Sequence, residues 1–246
     1  MPATGIVQLK RIAEADKCSA NCLPVYSNMS RLSCADCGRP QGYCYCHLLQ
    51  PVANRWPVCI LQHPDEARHP LNTAGIAAGC LQHCRLVQIP DDCEDATLQA
   101  RVGNPATGFA LIYPATAAQA DTVVALQARG AATEQTALPT LLFLDASWRK
   151  SRRMLLQSPW LRTLPRYALP TGEPSRYRIR QEPREDCVST LEAVARTLVV
   201  LDDCAPERMY TAMDWVIARQ IAAMGEHTWR RNYRRAPQGC GSAGRG

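Results

Sequence analysis

The sequence predicts an α/β fold, a mostly parallel sheet with helices on both faces. From Arg55 onward, short apolar segments alternate with segments of helical spacing, which is the pattern of β-α-β units. With 46% hydrophobic residues in 246, the chain can bury a sizeable core, and one main domain is expected. The 18 prolines and 14 glycines supply the turns that such alternation needs.

In chain order, residues 1–33 show no periodicity and are read as an N-terminal extension carrying Cys18 and Cys22. Residues 34–54 open with "CADCGRPQGYCYCHLL", which has neither helical nor strand period. The main domain spans 55–235. In it "VCILQ" (58–62) and "RLVQIP" (85–90) are strands, with 71–83 a helix between them. "TGFALIYP" (107–114) is a third strand, the Ala-rich 115–130 a helix, and "TLLFLD" (140–145) a fourth strand. Ser147 to Gln157 reads as helix, "RYALP" as a short strand, "SRYRIR" as extended chain, and 189–203 and 207–224 as helices. The tail, 236–246, is small and polar and is expected to be disordered.

No run of about 18 apolar residues occurs, and charges interrupt the N-terminus before any signal-peptide core could form. A cytoplasmic protein without a membrane partner or a stable protein partner is expected. Positive charge is concentrated after Ser147, where 18 Lys or Arg face 10 Asp or Glu. Nearly all of these cations are arginine, whose fork matches phosphate. Both a nucleic-acid partner and a solvated basic surface account for that charge.

Thirteen cysteines, an odd count without a signal peptide, argue against a disulfide scaffold. Cys34 and Cys37 form a CxxC pair, and Cys44 and Cys46 a CxC pair. Four thiolates so close suit a tetrahedral Zn²⁺ in a structural, zinc-ribbon-like knob, with no open position for water. The alternatives are unrelated reduced thiols, a redox pair, or a set that recruits Cys18, Cys22 or His47.

The most informative stretch is "LLFLDASWRKSRRM" (141–154). Ligands of open parallel sheets sit beyond the carboxyl ends of the strands, and Asp145 occupies such an end. Ser147 is placed to cap the next helix. Arg149, Arg152 and Arg153 share a helix face with Lys150 beside them, and Trp148, Leu155 and Leu156 can face inward. That cationic face suits a polyanion, although Asp145 could equally be paired with one of its arginines. Downstream, Arg176, Arg178 and Arg180 alternate with Tyr177 and Ile179, so that an extended chain would present them on one side. "STLEA" gives Ser189 and Glu192 capping-box spacing, which explains both without a ligand. Its free N–H groups also offer a cradle for a polar ligand.

"CADCGRP" with "CYC", "LQHPDEARHPLNT" (61–73), "LIYP", "LLFLDASWRKSRRM", "RYRIR" and "STLEA" occur in this order over most of the chain. In them the sequence resembles the DTW-domain family, the tRNA-uridine aminocarboxypropyltransferases. The family usually has Asp-x-Thr-Trp where this chain has Asp145, Ala146, Ser147 and Trp148; serine keeps the hydroxyl. "DASW" is also similar to related ribosomal-RNA aminocarboxypropyltransferases, whereas the cysteine knob and "HPDE" favour the tRNA branch.

The resemblance implies a SPOUT-like sheet with a C-terminal knot around S-adenosylmethionine. The implied reaction moves the 3-amino-3-carboxypropyl group to a uridine imide nitrogen in tRNA and releases methylthioadenosine. By motif position, Asp145 is the catalytic base or an orienting group. Leu169, Pro170 and Thr171, with Ser189, Thr190 and Glu192, hold the cofactor. His63, Glu66, Asn72 and Thr73 line the site, His63 either as a catalytic group or as a hydrogen-bonded loop residue. Trp148 stacks on the uridine or fills the core. The rival readings are a SPOUT-type methyltransferase and a non-catalytic zinc-ribbon RNA-binding protein.

Overall fold

In a computed structural model, the described residues are 32–70, 72–89, 94–103, 108–114, 123–127, 138–170, 172, 174–179, 188–201 and 203–233. Cys18, Cys22, Thr171, Arg180 and the tail lie outside them, as does much of the chain on which the expected knot turns. Six strands form one all-parallel sheet: β1 (Val58–Gln62), β2 (Cys84–Gln88), β3 (Phe109–Ile112), β4 (Val124–Ala125), β5 (Thr140–Asp145) and β6 (Arg166–Ala168), in the order β2-β1-β5-β3-β6-β4. β1 and β3 are buried along their whole length and β2 and β4 form the edges, which is why the central strands read as unbroken apolar runs.

Strand alternation divides the core into two layers. Val58, Ile60, Ala110, Ile112, Leu141 and Phe143 face α2 (Ala74–Cys80), α6 (Thr190–Val200) and α7 (Glu207–Met224). Cys59, Leu61, Leu111 and Leu142 face α3 (Asp95–Val102), α4 (Trp148–Gln157) and α5 (Pro159–Thr163). No described helix is long and apolar enough to cross a membrane.

Three expectations need correction. Within 115–130, the described residues carry strand β4, paired with β6; the β-branched Val123 and Val124 favour it there. Of "SRYRIR", the described residues 175–179 form no strand but a bend at Arg176 and a turn at Arg178 and Ile179, although Tyr177 and Ile179 are buried and Arg176 and Arg178 exposed as the alternation required. Its N–H groups go to side chains instead of a strand, with Arg176 N donating to Glu192 Oε1 at 2.7 Å and Tyr177 N to Ser175 Oγ at 3.1 Å. Leu156 is 50% exposed, because it falls seven residues from Arg149 on the cationic face. Helices α1 (Pro64–Ala67), α3, α5 and α8 (Glu226–Tyr233) had no counterpart in the sequence reading. Gly225, at φ +83°, separates α8 from α7.

The cysteine knob rests on α2. Tyr45 is buried in the α2–α7 layer, and Leu48 and Leu49 pack against it. Two glycines one helical turn apart permit this approach: a Cβ on Gly75 would meet Tyr45 Oη at 2.7 Å, and one on Gly79 would meet Leu49 Cδ1 at 2.7 Å. Gly75→Ala is therefore expected to lose about 1–2 kcal/mol of stability, overpacking against the fixed Tyr45 ring exceeding the gain in helix propensity. Urea denaturation checks this, and an unchanged or raised midpoint would contradict it.

Candidate active site

Gln62 and Asp145 are register partners at the carboxyl ends of neighbouring strands, so their side chains point to the same face of the sheet. The same alternation that buries Ile60 and Phe143 turns both toward α6. Gln62 Nε2 donates to Asp145 Oδ2 at 2.8 Å, and Thr190 Oγ1, on the first residue of α6, donates to Oδ1 at 2.6 Å. Asp145 is thus a buried, oriented carboxylate, while α4 with its arginines covers the other layer.

Beyond these strand ends lies a cavity of about 170 Å³, walled by the ends of β3, β5 and β6 and by the starts of α2, α4 and α6. Asp145, Ser147, Trp148, Leu169, Pro170, Ser189 and Thr190 reach its wall, as do Glu66, Asn72 and Thr73. Thr73 Oγ1 accepts from Leu191 N at 3.4 Å, joining the start of α2 to that of α6. A second space, of about 430 Å³, adjoins the first and shares Leu169, Pro170, Gly172 and Arg196 with it.

Several residues sit where the sequence suggested but do something else. Ser147 holds the N-cap position of α4, its carbonyl accepting from Ser151 N at 2.8 Å. Its side chain makes no capping bond and is left on the cavity wall. His63 lies off the wall; its Nδ1 accepts from Asp65 N at 3.2 Å and caps α1, and its N–H donates to Asp145 O at 2.9 Å. Glu192 also lies behind the wall, fully buried, and forms the capping box with Ser189. It accepts from Ser175 Oγ at 2.6 Å and Ser189 N at 3.0 Å besides Arg176 N. Glu192 thus ties the 174–176 turn to α6.

The cations separate into two groups. On α4, Arg149 and Arg152 are exposed, Arg153 Nε donates to Gln157 Oε1 at 3.0 Å, and Lys150 pairs with Asp65; that lysine holds the Asp65 carboxyl below the usual range. On the other layer, Arg176 stacks 4.8 Å from the Tyr210 ring centroid and pairs with Asp214 at 3.9 Å. Arg178 lies 5.9 Å from that of Trp229.

Tyr113, Ser151 and Arg196 on the wall, and Gln62 behind it, were missed by the sequence reading. Tyr113 Oη and Ser151 Oγ are 3.1 Å apart, and the Tyr113 ring lies 6.2 Å from that of Trp148. Tyr113 was within reach through "LIYP". The signal for Arg196 is its spacing, three residues beyond Ala193 and six beyond Thr190, on the α6 stripe that lines the cavity.

The knob meets the requirements of a metal centre. The ligand atoms of Cys34, Cys37, Cys44 and Cys46 all lie within 4.8 Å of one another. Cys34 and Cys46 sulfurs are 3.8 Å apart, the edge of a tetrahedron with metal–sulfur bonds of about 2.3 Å. Gly38, at φ +69°, turns the chain so that its N–H reaches Cys34 O at 2.9 Å. Burial pushes the Cys44 thiol up to about 11, and the Cys34 and Cys37 thiols beside it add to the rise; a bound cation would offset both effects. His47 instead packs edge-on against Trp215 at 5.3 Å. Burial also pushes Cys59 and Cys80 up to about 12 and about 11, so they are protonated core thiols.

The family model described as the DTW domain matches residues 31–221. The chain belongs to the DTW domain family. The match begins just ahead of the cysteine knob of this DTW domain and ends within α7, taking in every strand. A Drosophila melanogaster protein named tRNA-uridine aminocarboxypropyltransferase 2 is 32% identical over 180 residues, 70% of this chain and 67% of that one. The Macaca fascicularis protein of the same name is 29% identical over 77% of this chain and 64% of its own. From Arabidopsis thaliana, tRNA-uridine aminocarboxypropyltransferase A is 28% identical over 70% of this chain and 73% of its own. The chain thus spans about two thirds of the length of the relatives it matches. No solved structure matches this DTW domain chain.

Proposed function

We propose that this chain transfers the 3-amino-3-carboxypropyl group of S-adenosylmethionine to the ring imide nitrogen of a uridine in tRNA. The observation that carries this reading is a cavity with an oriented, buried Asp145 inside the region matched by relatives named for that transfer. When bound, S-adenosylmethionine supplies a carbon activated by the sulfonium, the new N–C bond forming as the C–S bond breaks and its electron pair leaves on methylthioadenosine.

The cavity residues suit such a ligand. Leu169 and Pro170 supply an apolar wall, Ser147, Ser189 and Thr190 polar groups, and Glu66 and Asp145 negative charge for an ammonium or sulfonium. Asp145 receives the imide proton, while Gln62 and Thr190 fix the plane of its carboxylate. Alignment is the other main contribution, and Tyr113 with Trp148 beside it forms the aromatic part of the wall. Arg149 and Arg152, with Lys150 and Arg153, meet tRNA phosphates on one side of the cavity; Arg176 and Arg178 do so on the other. The four knob cysteines hold a structural Zn²⁺. No described cysteine is paired in a disulfide, which suits the reducing cytoplasm.

Thr190→Val removes one of the two donors to Asp145 and is expected to slow transfer about tenfold with the fold retained, since a hydrogen bond to a charged group contributes about 1.5–3 kcal/mol. Single-turnover kinetics checks this; wild-type rates would contradict it. The function itself is tested by nucleoside mass spectrometry of tRNA from cells lacking the protein. Aminocarboxypropyluridine should be lost and plain uridine should take its place at one site. Retention of every such nucleoside would overturn the reading.

A further inference from the structure

We propose that Arg196 recognises the carboxylate of the donor's amino-acid end and so selects a donor that still carries it. This inference rests on the reading of the cavity as an S-adenosylmethionine site. An α-amino acid presents two opposite charges, and a dry site that takes it must supply a partner for each. The acids on the wall are Glu66 and Asp145; among the described lining residues, Arg196 is the sole lysine or arginine.

Its partners are Glu192 and Pro174 O, both at 3.4 Å or more, and the Tyr210 hydroxyl beside it. The side chain is 23% exposed, and its pairing with Glu192 Oε1 is long, at 3.8 Å. Glu192 does not depend on that contact, since Ser175, Arg176 and Ser189 already donate to it at 2.6 to 3.0 Å. Nη2 also donates to Pro174 O at 3.4 Å, which sets the plane of the guanidinium. Nη1 lies toward Gly172, where a Cβ would stand 3.5 Å from it. Glycine there leaves the approach to the guanidinium edge uncrowded, and a carboxylate takes such an edge through paired N–H bonds.

The carboxylate belongs to the group that is transferred, so a fork on it fixes the reacting chain as well as the donor's affinity. Arg196 also stands where the two spaces meet, a position from which one side chain separates the nucleoside part of a ligand from its amino-acid part.

The test is calorimetry on the full chain with three probes: S-adenosylmethionine, its decarboxylated analogue, and methylthioadenosine, which lacks the amino-acid chain altogether. Wild type should bind S-adenosylmethionine roughly 30-fold more tightly than the decarboxylated form, as expected for a charge-assisted pair. Arg196→Met should bring that ratio close to one with methylthioadenosine affinity unchanged, and Arg196→Lys should restore part of it. A ratio that persists in Arg196→Met, or no discrimination by wild type, overturns the proposal. So does a parallel loss of methylthioadenosine binding, which would make Arg196 a support of the fold. Wild type that binds neither S-adenosylmethionine nor methylthioadenosine overturns the function reading as well.

Discussion

Asp145→Asn is expected to slow aminocarboxypropyl transfer about 10³-fold, the order lost when a positioned proton acceptor is removed, while the protein stays folded. The new side chain is the same size and keeps one acceptor oxygen for Thr190 Oγ1, which donates to Asp145 at 2.6 Å. Gln62, whose Nε2 now donates to Asp145 at 2.8 Å, can turn its amide and present its oxygen to the new NH₂. The change thus keeps the size of the side chain and a contact with each of Thr190 and Gln62, and the lost function is the carboxylate's ability to take a proton. Circular dichroism and single-turnover transfer on one preparation check the two halves of this expectation. Near-normal turnover would remove Asp145 from the chemistry and leave it as a structural bridge between β1, β5 and α6.

Removal of the metal proposed for the knob is expected to have the second large effect, and on stability first. Without a cation the four knob thiols lose what holds them together, and Tyr45, Leu48 and Leu49 lose their fixed seat on α2. Freeing three such side chains costs several kcal/mol at about 1.5–3 kcal/mol each, a fall in melting temperature of about 10 °C for a domain of this size. The effect should reach the cavity, because Arg39 of the knob donates from Nη2 to Asn72 O at 2.8 Å and lies 4.9 Å from the Tyr45 ring centroid. Asn72 Oδ1 in turn accepts from Gly75 N at 3.3 Å at the start of α2. Titration with a chromogenic chelator alongside thermal melts should show one metal released per chain as the melting temperature drops. Release with an unchanged melting temperature would make the knob an ornament of the fold.

The core of the sheet was legible because its strands are buried on both faces and so read as plain apolar runs, as in "VCILQ" and "TLLFLD". The capping box was legible because it is local: Ser189 and Glu192 need only their spacing. Strand β4 was not, since its pairing partner lies some 40 residues away and its two residues carry no period. The direction of Asp145 was also hidden. Strand parity sends it toward α6 and Thr190, whereas the sequence puts it beside the arginines of α4. Neighbours in the chain thus serve opposite layers, and the cavity between those layers takes its wall from both. Arg196 and Gln62 escaped for the same reason, their relevance depending on partners distant in sequence.

Transfer from S-adenosylmethionine labelled in either of two carbons to unmodified tRNA, with the purified protein, shows directly which group the chain moves. Label in the carboxyl carbon should enter the tRNA, and label in the methyl group should leave on methylthioadenosine. Label entering only from the methyl group would make the chain a methyltransferase and contradict the account.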